Sequence, residues 1–301
     1  MFKVSVIVPL HNAGAFLTEC VASVELSSGV ETEIIVVDDA SDDALSLDHT
    51  NALVVERRIK LIRNSQNVGV QASRNLGLKA ATGDFVVCLD ADDILLPLPN
   101  GLSYLSEAVD ILNKNPDIVF VHTMSQMFGD FSGLTISSYP LEVDLVLRKH
   151  HVPISIVYRK SELASGIIHR KEVPKWQDWA FGVSLIAERW RRGQRSAIGF
   201  VPGPGYGYRI HSAFPRISRK LISEIEAAKP IVSAYRDFFS AVVPEVENDI
   251  EALASAIVAR KPNRLTDLLY MARYDLEQAK SVAKQRAFSL KLGETEQLGI
   301  P

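Results

Sequence analysis

The residues most able to do chemistry are Asp90-Ala91-Asp92-Asp93, three carboxylates within four positions directly after the apolar run 85–89. Like charges this close repel one another and, when shielded from water, call for a cation. A hard divalent ion with oxygen ligands meets that need, and Mg2+ characteristically leaves coordination positions for substrate phosphates. An isolated acidic run is more often a solvated turn, as Asp42-Asp43 reads. This one has companions, because His11-Asn12 and Asp38-Asp39 also stand directly after apolar runs. Later in the chain, Asp178 opens a helical pattern and Tyr208-Arg209-Ile210-His211 closes an apolar one. Other candidates are weaker. His150-His151 are adjacent, and neighbours on a strand face opposite ways, so they do not easily share an ion. Gly203-Pro204-Gly205-Tyr206-Gly207 lacks the Lys-Ser/Thr and following helix of a phosphate-binding loop and reads as a turn. Cys20 and Cys88 lie in apolar patterns and read as small buried hydrophobes of a reducing compartment.

The elements that must position these residues alternate. Residues 4–8 and 34–37 are β-branched strands, 59–62 a weaker one and 85–89 another. Helical spacing recurs at Phe16, Leu17, Cys20, Val21 and Val24, and again over 70–81. This order predicts an α/β fold, a mostly parallel sheet with helices on both faces. Ligands then bind at the carboxyl ends of the strands, where the polar residues collect. A helix over 99–114 and a strand over 118–122 follow. Residues 124–152, with Gly129, Gly133 and Pro140, read as a long irregular loop, and 154–158 as a strand. Trp179, Val183, Ile186 and Trp190 mark a helix opening near Asp178. Beyond about 216 the pattern is helical, with Pro230, Pro244 and Pro262 dividing roughly three helices. The expected organisation is therefore a catalytic domain over 1–215 and a helical region over 216–301.

Four segments in order resemble family 2 glycosyltransferases of the GT-A (Rossmann-like) fold. They are Val4 to Asn12, Glu33 to Ser41, Asn67 to Gly77, and Leu89-Asp90-Ala91-Asp92-Asp93, which looks like that family's DxD motif. Gln177-Asp178-Trp179 is similar to its Glu-Asp motif, with Gln where Glu is usual, and Tyr208 to His211 is similar to the segment that closes its catalytic domain. The likeness spans about residues 3–212. It implies an inverting transferase that uses a nucleotide diphosphate sugar, a uridine one, with Mn2+ or Mg2+. It implies that Asp39 holds the nucleotide base in a pocket begun by Pro9, Leu10 and His11, and that Arg74 helps hold the nucleotide. Asp90, beside Ala91, would lie near the ribose or a metal-bound water. Asp92 would ligate the metal, His211 would be a further ligand or diphosphate contact, and Asp178 would be the general base. Such roles suit the reaction: charge is neutralised on the leaving diphosphate while a carboxylate takes the acceptor proton on the opposite face.

Bulk properties are ordinary for a soluble globular protein. The chain of 301 residues is 47% hydrophobic and 23% charged. Its net charge of −3 hides an asymmetry: residues 1–147 carry 8 basic against 20 acidic side chains, residues 148–220 carry 15 against 4. Two solvated faces would explain that, as would a middle segment that meets the phosphates of a donor, an acceptor or a membrane surface. Arg209 or Arg216 is accordingly expected near the donor diphosphate. No apolar run approaches the roughly 18 residues that cross a bilayer, and residues 4–10, interrupted by Ser5 and Pro9, do not form a signal peptide. A cytoplasmic protein is expected, with peripheral membrane contact left open and no nucleic-acid partner.

Leu265, Leu268, Leu269, Ala272, Leu276, Ala279, Val282 and Ala283 form one amphipathic stripe, suited to packing on the same chain, to a homo-oligomer or to capping an acceptor site. The acceptor itself, whether glycan, lipid-linked sugar or small molecule, is not written in these motifs. A nucleotidyltransferase would also use strand-end carboxylates and Mg2+, but it normally carries a basic, glycine-rich loop after the first strand. Here Pro9-Leu10-His11-Asn12-Ala13-Gly14 has no Lys or Arg. A catalytically silent nucleotide-sugar-binding protein would keep the donor residues but would not need Asp178.

Overall fold

The computed structural model describes residues 1–135, 139–148, 152–211, 222–261 and 263–293. Its first sheet is built from β1 (Lys3–Leu10), β2 (Glu31–Asp38), β3 (Lys60–Arg63) and β4 (Phe85–Cys88), with β8 (Tyr158–Arg159) at one edge, in the order β3-β2-β1-β4-β8. The first four strands are parallel and β8 is antiparallel to β4. Val4, Val6, Ile7 and Val8 are all fully buried, so β1 is covered on both faces, as a parallel sheet requires. Helices α1 (Gly14–Glu25) and α3 (Val70–Ala80) cover it, and α2 (Ala44–Val55) packs on α1 and β3. Helix α3 lies so close to β1 that a Cβ on Gly77 would stand 2.2 Å from the Ile7 Cγ2. Only glycine permits that approach.

A second sheet follows. It contains β5 (Ile94–Leu95), β6 (Ile118–Gly129), β7 (Gly133–Leu134) and β9 (Ala197–Ile210), in the order β5-β9-β6-β7. Strands β6 and β9 run parallel from Ile118 to Gly129, with register shifts on the way. Val121 and Val157 exchange backbone hydrogen bonds of 2.8 and 2.9 Å, which joins β6 to the segment entering β8. Helices α4 (Tyr104–Lys114), α5 (Val143–Leu147) and α6 (Gln177–Arg191) complete this half. The buried side chains of α7 (Glu224–Ala234), α8 (Arg236–Val242) and α9 (Ile250–Ala259) join the same core, through Ile231, Phe239 and Ile257 among others. Helices α10 (Arg264–Tyr274) and α11 (Leu276–Gly293) bury Met271, Ala279 and Val282 against Met124, Leu134 and Tyr139 of the second sheet region. Among the described residues no helix is long and apolar enough to cross a membrane.

Several expectations are corrected. Helix α2 carries no apolar period in the sequence, because its buried face is Ser46, Thr50 and Leu53 while Leu45, Val54 and Val55 are exposed. An apolar stripe was never there to find. The strand over 118–122 continues to Gly129, since its hydrogen bonds go to β9, some 80 residues away. The stretch 124–152 is thus less irregular than read, holding the end of β6, β7 and α5. Conversely, the strand over 154–158 shrinks to Tyr158–Arg159 with an isolated bridge at Val157. Residues 203–207 are not a turn but lie inside β9, where a Cβ on Gly205 would come within 2.8 Å of the Tyr104 Cβ. The helix over 99–114 begins only at Tyr104, capped by Ser103, whose Oγ accepts from the Ser106 N–H at 3.1 Å. Pro230 does not divide helices; it sits within α7, held by the burial of Ala227, Ala228, Ile231 and Val232. Five helices, not three, follow residue 222 among the described residues. The C-terminal stripe breaks at Asp275, which is extended and accepts from the Gln278 N–H at 2.9 Å to start α11. Leu265, Leu269 and Leu276 consequently face solvent. His150-His151, Arg216 and the proposed boundary near 215 lie outside the described residues.

Candidate active site

The carboxyl ends of β1, β2 and β4 lie side by side, because Leu10 pairs with Asp38 and Ile7 with Cys88 in parallel register. Asp38 and Asp39, adjacent in sequence, do different work. Asp38 is fully buried and accepts from Arg63 Nε and the Ser41 N–H, both at 2.9 Å. Asp39 accepts at Oδ1 from Asn64 Nδ2 and the Val68 N–H, and at Oδ2 from the Gly69 N–H at 2.8 Å. Gly69 has a φ of 91°, so its N–H turns to the carboxylate just before α3 starts. Burial alone would raise the Asp39 pKa, but these donors hold it below the ordinary carboxylate range. Pro9 and Leu10 are sealed in the end of β1, and the Leu10 carbonyl accepts from the Asp39 N–H at 2.7 Å. Of the three residues expected to begin the base pocket, only His11 exposes its side chain.

Arg74 is the centre of the site. It is 3% exposed, donates from Nη2 to Asp90 Oδ1 at 2.7 Å and from Nη1 to Asp178 Oδ1 at 3.3 Å. Helix α3 thus supplies one cation between the end of β4 and the first turn of α6. Burial acts to lower the Arg74 pKa, yet Asp90 and Asp178 raise it above the ordinary guanidinium value. Asp178 keeps about 30% of its side-chain exposure, and a void lined by Cys88, Ile156, Tyr158, His169 and Phe181, too tight for water, lies behind it. Burial pushes the Asp178 carboxyl up to about 6, with Arg74 opposing and Asp90 adding to the rise. His169 in that wall stacks on Phe181 at 4.1 Å, and burial, then Arg74, drives its pKa well below the usual histidine value. It is therefore a neutral wall of the site.

The rest of the acidic run meets β9. Asp92 Oδ2 lies 2.8 Å from His211 Nε2, and burial, then Asp90, raises the Asp92 pKa. Ala91 is buried between the two carboxylates. Asp93 has no role legible in sequence. The structure gives it one: fully buried, it accepts from the Tyr206 hydroxyl and from the Arg209 N–H at 2.8 Å. Burial, then Asp92 and Asp90, pushes its pKa well up. Asp93 therefore staples the acidic turn to β9. Asp93→Asn keeps an acceptor for the Arg209 N–H and turns its amide N–H to donate to the Tyr206 hydroxyl oxygen, so it is expected to shift stability by less than about 1 kcal/mol. Asp93→Leu orphans the Tyr206 hydroxyl and the Arg209 N–H and costs about 2 kcal/mol or more. Denaturant midpoints of the two variants measure the difference.

Arg209, expected at a diphosphate, sits between the rings of Phe16 (4.7 Å) and Phe128 (4.3 Å). Its Nε donates to the Asp92 carbonyl at 2.7 Å and its Nη2 pairs with Glu19. It thereby ties the acidic turn to α1. Among the described residues no group of three His, Cys, Asp or Glu side chains converges as a self-sufficient metal site. The oxygen and imidazole donors of Asp92 and His211 do suit Mn2+ or Mg2+ with phosphate oxygens completing the shell. Cys20 and Cys88 are free and buried, as expected. An open hollow of about 880 Å3 is lined by Phe2, Gly83, Asp84 and Phe85 at the opposite ends of the strands, away from all of these groups.

Residues 5–150 match the family model described as glycosyl transferase family 2. An uncharacterized glycosyltransferase of Haemophilus influenzae is 37% identical over 116 residues, which are 38% of this chain and 34% of that protein. The matched stretches span less than half the length of the first curated relatives. Among solved structures, S. aureus TarS 1–349 in complex with UDP-GlcNAc superposes with a TM-score of 0.64 at 21% identity, covering 87% of this chain and 72% of that one. The mannosyltransferase PcManGT from Pyrobaculum calidifontis, in complex with GDP-Man and Mn2+, gives 0.54 at 18% identity, over 95% and 80%. At these identities the likeness is one of fold.

Proposed function

Residues 5–150 of this chain belong to glycosyl transferase family 2 on a GT-A fold, and on that premise we propose that it transfers a sugar from a UDP-sugar to an acceptor hydroxyl, inverting the anomeric centre. The observation that carries the reading is the Arg74 bridge. One buried guanidinium joins Asp90, on the donor side, to Asp178, 88 positions later and at the opening of α6. A carboxylate with its pKa lifted toward neutrality, held in place and backed by a dry wall, is what a general base for a hydroxyl needs.

The division of labour follows the geometry. Asp39 shapes the loop 64–69 around the base pocket through its three donors, with His11 at the rim. Asp92 and His211 would hold Mn2+ or Mg2+, which neutralises charge on the departing diphosphate when bound. Asp93, Tyr206 and Arg209 keep that turn in register with β9. Asp178 takes the acceptor proton as its oxygen attacks the anomeric carbon, and Arg74 keeps the base and Asp90 at a set separation. Gln177, in place of an acid, leaves Asp178 the acidic side chain in the first turn of α6.

Calorimetry with UDP, with and without Mn2+, tests the donor half. Wild type is expected to bind more tightly with the metal, and Asp92→Ala to lose that increment, a fall of roughly tenfold or more. Unchanged, metal-independent binding in the variant removes Asp92 from the site. Binding that persists with no turnover of any nucleotide sugar leaves a silent binding protein instead.

A further inference from the structure

Asp178 opens α6, yet the chain that delivers it, residues 166–176, is neither helix nor strand. Its last residue, Trp176, has a left-handed backbone, φ 62° and ψ 39°, which a bulky residue adopts only where its surroundings impose it. No repeating backbone ladder therefore sets where α6 begins. The constraint comes from α3, whose side chains reach this segment from about a hundred positions away.

Gln71, Arg74 and Asn75 stand at i, i+3 and i+4, on one face of α3. Asn75 Oδ1 accepts from the His169 N–H and Asn75 Nδ2 donates to the His169 carbonyl, both at 2.8 Å. A carboxamide carries the same donor and acceptor as a peptide group, so Asn75 pairs with His169 as a neighbouring strand would. Gln71 Nε2 donates to the Val173 carbonyl at 3.1 Å, and Arg74 reaches Asp178. One helix face thus grips His169, Val173 and Asp178 in chain order. The grip continues into α6, because the His169 ring lies flat on Phe181, centroids 4.1 Å apart and planes 8° from parallel. Phe181 follows Asp178 by three residues and shares its side of the helix. At its other end α3 starts beside Gly69, whose N–H holds Asp39, and the close seat of Gly77 on Ile7 leaves α3 no room to slide.

We infer that Asn75 and Gln71 are positioning residues for the transfer reaction: acting through His169 and Val173, they set the place of Asp178 relative to the donor site. The inference rests on the glycosyltransferase reading above. Helix α3 then fixes the separation between the nucleotide loop and the general base. Arg74 alone is a loose tether, since its 3.3 Å contact with Asp178 is longer than its 2.7 Å contact with Asp90. The two amides add the uncharged, directional part of the hold. Such precision matters to the rate, because a base displaced by about 1 Å can cost about 100-fold.

Asn75→Leu and Gln71→Met remove the amides at nearly constant volume and leave the charge of the site unchanged. Turnover is read as UDP release from UDP-glucose and UDP-N-acetylglucosamine with Mn2+, water serving as acceptor, and UDP affinity by calorimetry. Asn75→Leu is expected to lower kcat about 10–100-fold and Gln71→Met about 3–10-fold, with UDP affinity within about twofold of wild type. Made in Asp178→Asn, the Asn75→Leu change should lower kcat less than about twofold further, because no base is left to position. A second readout needs no turnover. The Asp178 carboxyl, followed by 13C NMR and assigned by its absence in Asp178→Asn, should titrate at about 6 in wild type. In Asn75→Leu it should titrate at lower pH, as water enters the loosened wall. The groups facing it are Arg74, Asp90, Cys88, Tyr158 and His169, and neither variant changes their charge. An unmoved titration with wild-type kcat in folded Asn75→Leu overturns the proposal. So does a full fall in kcat on the Asp178→Asn background, the mark of a merely structural amide. Should Asn75→Leu fail to fold, Gln71→Met decides by the same two readouts. A wild type that binds no UDP and turns over neither sugar overturns the transferase reading, while the titration still decides whether the amides hold Asp178.

Discussion

Asp178→Asn is expected to lower kcat roughly 10²–10⁴-fold while leaving UDP affinity within about twofold of wild type. Asn keeps the shape and a hydrogen-bond acceptor for Arg74 but cannot take a proton. The pH profile supplies a second reading. With its carboxyl pushed up to about 6, wild-type Asp178 is protonated and inactive as a base at low pH. kcat/KM should therefore rise about tenfold per pH unit up to about 6 and level off above it. The groups facing Asp178 are Arg74 from α3, Asp90 from the end of β4 and the wall of Cys88, Tyr158 and His169. His169 is held neutral in this range, so the limb belongs to Asp178. Stability changes with pH in the opposite sense to activity. A carboxyl whose folded pKa exceeds its unfolded value favours folding when protonated, so stability gained below the unfolded value is lost as pH rises through about 6. At pH 7 the Asn variant should consequently melt no lower than wild type. UDP release near the wild-type rate in Asp178→Asn would remove the base from Asp178.

Arg74→Met should do the greatest structural damage of any single substitution at the site. It leaves Asp90 and Asp178 facing each other without their shared cation, and breaking a buried ion pair from one side costs about 3–5 kcal/mol. Both carboxylates keep about a third of their exposure, so the lower end of that range applies. A fall in melting temperature on the order of 5 °C follows for a chain of this size. Activity should fall too, and its acid limb should move to higher pH, because Arg74 is the group that holds the Asp178 pKa down. Arg74→Lys keeps the charge but not the fork, since an ammonium does not span two carboxylates as the guanidinium does. It should recover stability more than rate. An unshifted acid limb in Arg74→Met, in protein still folded, would separate Arg74 from the base.

Much of the first half was legible because its signals are local. Strands β1, β2 and β4 are β-branched runs stopped by polar residues, and α1 and α3 carry their apolar stripe in the sequence. Legibility failed wherever the stabilising partner is remote. Helix α2 buries Ser46 and Thr50, which no apolar period marks. The far end of β6 and the glycine-rich part of β9 are strands because they pair with each other. The C-terminal stripe looked continuous because spacing alone does not register the extended Asp275 that splits it.

Sequence by itself determined the α/β class, the resemblance to family 2 glycosyltransferases, and the identities of Asp39, Arg74, Asp90, Asp92, Asp178 and His211 as site candidates. These rest on residue type and short-range order, which the chain carries explicitly. Only the tertiary structure decided which of them act together. Arg74 joins Asp178 across 104 positions, His211 meets Asp92 across 119, and Asp93 acquires its role from Tyr206 and Arg209. A pKa of about 6 at Asp178 and a raised one at Asp93 arise from burial and neighbouring charge, and both come into being only when α3, α6 and β9 close around the end of β4.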